Sequence, residues 1–165
     1  MQGRKDVGWR AHLLNGALVG LAAALAGSLT LLAVGAASGR GLDILTDVGG
    51  GPWPSAVHAV AGTSPATSYL ISHTTLYLLA GIVALFVASV ADRVPVVLTG
   101  LLLVVLGIEL AYLVVMTAWQ AIGRFDPTTW RAIVIAHAVA DLVLLLGAIR
   151  AHPTIRQAWR RAYQD

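Results

Sequence analysis

His73, Tyr77, Glu109, His137 and Asp141 carry side chains that bind, ionise or transfer protons, and each lies inside a long apolar run. Ionisable groups are costly in hydrocarbon, so they mark places where something is paired, bound or moved. The clearest case is IVIAHAVADLVLLLG, residues 133–147, where His137 and Asp141 are four residues apart. On a helix, positions i and i+4 are neighbours. Asp141 can there accept a hydrogen bond from His137 and set its tautomer.

Four kinds of chemistry fit these residues. Two inward imidazoles at one depth can hold a b-type haem from both sides, with His73 and His137 as ligands. A quinone pocket near His73 and Tyr77 uses the same side chains. A proton or cation pathway runs instead through Glu109, Asp141 and His137, with Tyr77 in the same polar cluster. A metal site has His137 and Asp141 sharing one ion and His73 as third ligand, a nitrogen and oxygen set that zinc accepts. In the plainest reading these residues only hydrogen-bond helices together, at about 0.5–2 kcal/mol per bond.

Other chemistries are disfavoured. The chain has no cysteine, which removes disulfides, thiolate catalysis and cysteine-held metal centres. The segment GTSPATSYLISHTT is rich in hydroxyls, but Ser72 and His73 are adjacent and point in different directions on a helix. Those hydroxyls are expected to bond backbone carbonyls or to cap the helix near Thr67 and Ser68. No catalytic residue is assigned, and the chain reads more as a non-enzyme than as an enzyme.

The elements that position the cluster follow from composition. The 165 residues are 58% hydrophobic and 12% charged, and mean hydropathy is +0.78. A soluble domain needs more polar surface, whereas lipid solvates apolar faces directly. Four runs reach the roughly 20 helical residues that cross a bilayer core. They cover about 13–37, 68–91, 94–121 and 130–150. The first has a basic start and a small-residue end like a signal peptide, but its apolar core is too long, so it reads as an uncleaved helix. The expected fold is an all-α integral membrane protein, an up-and-down bundle of four transmembrane helices in one domain, 1–165.

Arg4, Lys5 and Arg10 precede the first span, and Arg150, Arg156, Arg160 and Arg161 follow the fourth. This excess places both termini in the cytoplasm and the protein in the cytoplasmic (inner) membrane. Net charge is +3. The basic residues cluster at the ends of apolar runs, which points to lipid headgroups as partners and not to nucleic acid. The outer loop, 38–67, is broken by GGGPWP, and PSAVHAVAG within it predicts one or two turns on the membrane surface. The tail, 151–165, predicts an amphipathic helix on the cytoplasmic surface.

Small residues mark packing faces in lipid. Gly16, Gly20, Ala24 and Ser28 form such a ridge in the first span. In the second, His73, Tyr77, Ala80, Gly81, Ala84 and Ala88 share one stripe, with Leu79, Val83 and Phe86 elsewhere. His137, Ala140, Asp141, Ala148 and Ala151 share an arc in the fourth. The third span breaks the pattern: Gly100, Gly107, Ala111 and Ala118 line one face, and Glu109 sits almost opposite, among bulky residues. Either that helix packs on both sides, or Glu109 meets another subunit. At about 1.5 Å per residue, His73 and His137 lie roughly 8 and 10 Å into their spans. In an up-and-down bundle those spans are diagonal neighbours. Small size, sparse polar chemistry and the position of Glu109 favour a non-catalytic accessory or scaffold subunit, bound to other membrane subunits or to itself. Haem- or quinone-linked electron transfer and cation movement are the alternatives.

Overall fold

The computed structural model describes residues 9–91, 96–123 and 126–151, with side chains at 9–51, 54–90, 107, 109–123 and 126–151. The helices in chain order are α1 (Trp9–Ala37), α2 (Asp43–Gly49), α3 (Pro52–Ala61), α4 (Pro65–Ala91), α5 (Val96–Ala121) and α6 (Pro127–Ala151). Among the described residues there is no strand. Helices α1, α4 and α6 are each long and apolar enough to cross a membrane. The chain is thus all-helical, with the helices of a membrane protein. Helix α5 lies where the third span is expected. The ADRVP connection and the amphipathic tail fall outside the described residues, apart from Ala91 and Ala151 at the ends of α4 and α6.

Helix α1 is the centre of the bundle, packed along α4 on one side and α6 on the other. Its small residues make this possible. A methyl group at Gly16 would lie 2.7 Å from the Ile82 Cα, and one at Gly20 would lie 2.8 Å from the Leu78 Cα, so the α1 and α4 backbones touch. The pairing of Gly16 with Ile82 and of Gly27 with His73 makes the two helices antiparallel. Buried Ala132, Ala136 and Ala140 bring α6 against α1 in the same sense. The expected stripe on α4 is the packed one: His73, Tyr77 and Ala88 are buried, while Leu79, Val83 and Phe86 are exposed.

The segment between α1 and α4 is not only a surface cap. Helix α2 drives Ile44, Leu45 and Val48 into a cluster with Leu31, Tyr69, Met116 and Ile133, closing one end of the bundle. Its apolar side chains would otherwise be exposed, and burial among those of α1, α4, α5 and α6 removes them from water. Helix α3 forms at PSAVHAVAG, after the break at Gly50 and Gly51. Gly62, in the left-handed conformation, ends it.

An ionic clasp holds this end together. Gly39 and Gly41 have φ of +74° and +53°, so the chain turns sharply around Arg40. Arg40 reaches both Asp47 of α2 and Asp126 at the start of α6, and also bonds the Thr129 hydroxyl. Asp126 caps α6 as well, its Oδ1 accepting from the Thr128 and Thr129 amides at 2.7 and 3.0 Å. Partial burial works against the Asp126 charge, but bonds from Thr129 and Thr128 and the nearby Arg40 outweigh it and hold the carboxyl down to about 2. Partial burial likewise opposes the Arg40 charge, and the two carboxylates overcome it, keeping the guanidinium above its ordinary value.

Helix α5 reverses the small-residue expectation. Gly107, Ala111 and Ala118 are exposed, while Met116 is buried and Tyr112 and Trp119 pack toward the core. Gly100 lies among the positions without described side chains. Among the described residues, α5 meets α4 and α6 at few points. At that spacing long side chains, not close backbones, make the contact, and Glu109 is carried inward with them.

An intramembrane imidazole and carboxylate centre

Helices α4, α5 and α6 bring all of the predicted site residues together. Counting about 1.5 Å per residue, His73 lies about 12 Å from the start of α4, and His137 about 15 Å from the start of α6. Their ring centroids are 5.9 Å apart, edge to face. One turn further along α4, the Tyr77 hydroxyl donates to Asp141 Oδ1 at 3.0 Å. From α5, Glu109 Oε2 comes within 3.9 Å of His137 Nδ1. One donor atom each from Glu109, His137 and Asp141 lies within 4.8 Å of the others.

Two expectations change. The expected bond from His137 to Asp141 along one helix is not formed: Tyr77 donates to Asp141 from α4, and Glu109 Oε2 stands 3.9 Å from His137 Nδ1, beyond hydrogen-bond reach. Glu109 does not face away from the bundle. It lies beside His137 of α6 with its side chain 31% exposed, on a helix whose small-residue face is exposed and so does not pack on both sides.

The haem arrangement fits poorly. The His73 and His137 ring centroids are 5.9 Å apart, closer than two imidazoles that hold a haem iron between them. His73 Nε2 instead points at α1, where a methyl group on Gly27 would lie 2.9 Å away. It approaches the Ala24 carbonyl without reaching hydrogen-bond geometry.

Two aromatic residues belong to the site and were not foreseen. Tyr69 stacks on His73 with centroids 5.0 Å apart, and Tyr112 stacks on His137 at 4.4 Å. The signal was present for Tyr69, which stands four residues before His73 on the same stripe as Tyr77. Tyr112, three residues after Glu109, lay on the face of α5 set aside as bulky. Of the hydroxyls at the α4 start, Ser72 bonds the Ser68 and Tyr69 carbonyls as expected, but the cap is Ser64, which accepts from the Thr67 amide, because the helix begins at Pro65, ahead of Thr67 and Ser68.

A cavity of about 420 Å³ reaches the centre from the α2–α3 end. Val48, Gly51 and Pro54 border it at that end, Leu76 and Val115 form apolar walls, and His73 and His137 line its inner part. Buried polar atoms are nearly always bonded. His137 Nδ1 and His73 Nε2 are buried with no hydrogen-bond partner among the described residues. The centre therefore offers a buried nitrogen base reached by the cavity, with two carboxylates behind it. Comparison with protein-family models, curated proteins and solved structures returns no match, so the chemistry of these side chains carries the functional reading.

Proposed function

We propose that this is a multi-pass membrane protein that binds a cation in the bilayer interior and exchanges it with the outer side. In this reading α1, α4, α5 and α6 all span the cytoplasmic membrane. The exposed leucines of α1, Leu14, Leu18, Leu25 and Leu29, face lipid. Arg40 and Arg131 stand with Asp43, Asp47 and Asp126 at the end with α2 and α3, whereas the described helix ends opposite carry Arg10 and Arg150. The end with α2 and α3 is then outside, and the termini are cytoplasmic.

The convergence of Glu109, His137 and Asp141 carries the reading. Two carboxylates this close in a low-dielectric interior need positive charge beside them. The described arginines, Arg10, Arg40, Arg131 and Arg150, lie toward the helix ends, and Arg40 is engaged with Asp47 and Asp126. A bound cation, proton or metal, meets that need, and the cavity gives it a route. The accessory-subunit reading rested on small size, sparse polar chemistry and a Glu109 turned away from the bundle, and loses the last of these supports.

The test is ion entry into proteoliposomes containing either a pH-sensitive or a divalent-metal-sensitive dye. Entry in the wild type that Asp141→Asn and Glu109→Gln abolish supports the reading. Entry of neither ion, or entry indifferent to both substitutions, rejects it.

A further inference from the structure

The geometry points to a divalent transition-metal site formed by Glu109, His137 and Asp141, with one coordination position left open. This inference rests on the cation reading and names the cation's class.

The donors have the composition of a metal site, not of an acidic patch. One imidazole nitrogen and two carboxylate oxygens come from two helices and lie within 4.8 Å of one another. In a tetrahedral site with bonds of about 2.0–2.1 Å, donors are roughly 3.3 Å apart, so closure requires the donors to approach by up to about 1.5 Å. His137 Nδ1 and Glu109 Oε2 are already 3.9 Å apart. Glu109 stands on the lightly packed α5, where such a shift meets little resistance. His137 Nδ1 is buried and unpartnered, as a nitrogen reserved for a ligand would be.

Charge and softness select the ion. Two carboxylates balance one divalent cation and leave the site neutral, which a low-dielectric interior favours. Magnesium and calcium prefer shells made wholly of oxygen. An imidazole with two carboxylates suits zinc, manganese or ferrous iron. Three protein ligands leave room for water or for a departing ion.

Tyr77 is the positioning residue. Its hydroxyl fixes Asp141 Oδ1 at 3.0 Å. Such outer bonds typically change metal affinity 10–100-fold when removed, as a rough guide. The third ligand expected from the sequence was His73, but its Nε2 faces Gly27 of α1 and Glu109 takes the place.

The experiment uses the full chain in detergent, stripped of metal. Zn²⁺ is titrated at equilibrium and counted, and Co²⁺ serves as an absorbing substitute. One Zn²⁺ per chain is expected, with a Co²⁺ spectrum showing mixed nitrogen and oxygen ligands. Glu109→Gln, Asp141→Asn and His137→Ala should each abolish binding while helical circular dichroism is kept. Tyr77→Phe should keep the stoichiometry and weaken affinity by about 10-fold or more. Binding that survives all three ligand substitutions overturns the site. A folded wild type that binds no Zn²⁺ or Co²⁺ yet passes protons through Asp141 overturns the metal inference and leaves the cation reading standing. A wild type that does neither removes both.

Discussion

Tyr77 of α4 and Asp141 of α6 are joined by one hydrogen bond of 3.0 Å, at a level where α1 lies between and against both helices. The bond is made side chain to side chain, so it fixes the relative rotation of two helices that otherwise touch little. Tyr77→Phe should lower stability by about 0.5–2 kcal/mol, the range for such bonds in membranes. A double-mutant cycle with Asp141→Asn in a detergent unfolding assay measures the coupling. Additive losses would show that the bond contributes nothing beyond packing.

Close approach of α1 and α4 depends on glycine at particular positions. A methyl group at Gly20 would lie 2.8 Å from the Leu78 Cα, a backbone atom that cannot rotate aside. Gly20→Ala should therefore force the helices apart and cost about 1–3 kcal/mol, as overpacking does. Gly107 on α5 has nothing within 4 Å of the same added atom. Gly107→Ala should be neutral or slightly stabilising through helix propensity. Thermal melting of both variants in one detergent checks the contrast. Equal effects would contradict the packing described for α1 and α5.

These two glycines also show where the sequence was readable. On α1 and α4 the rule that small residues face protein holds, because the backbones touch at Gly16, Gly20 and Gly81. It fails on α5, where the cavity keeps Ala111 away from α4 and long side chains carry the contact. Glu109 was misplaced for that reason: its partners belong to α6, and no periodicity within α5 reveals them. Helix α2 was missed because DILTDVG is too short to show a period. Asp126 was legible and passed over, since an Asp directly before Pro127 and two threonines is a helix start.

The Arg40 clasp should respond to acid. Asp126 titrates at about 2 when folded, against 3.8 unperturbed. A depressed carboxyl contributes stability in full above its unfolded value and loses it as pH falls through the folded one. The contribution is thus constant above pH 4 and disappears between about 4 and 2. Its side chain is 43% exposed, so solvent screens the pair and the effect should stay near 1 kcal/mol or below. Asp126→Asn keeps a capping oxygen but drops the charge. Its melting temperature should lie below that of wild type at pH 7 and meet it near pH 2. A gap unchanged across that window would separate the clasp from the Asp126 charge.

The cavity predicts which positions water reaches from outside. The chain contains no cysteine, so a single introduced thiol reports on its own surroundings. Ser72 lines the cavity, while Leu79 on the same helix is 58% exposed on the face assigned to lipid. Thiol reagents attack the thiolate, which forms where water reaches and not in hydrocarbon. In vesicles with the α2–α3 end outward, a membrane-impermeant maleimide should label Ser72→Cys and leave Leu79→Cys unmodified. A reagent confined to the interior should label neither. Labelling of Ser72→Cys only from the interior would place the opening at the opposite end of the bundle and overturn access from the α2–α3 end. Equal labelling at Leu79→Cys would mean that the apolar face of α4 is not in lipid.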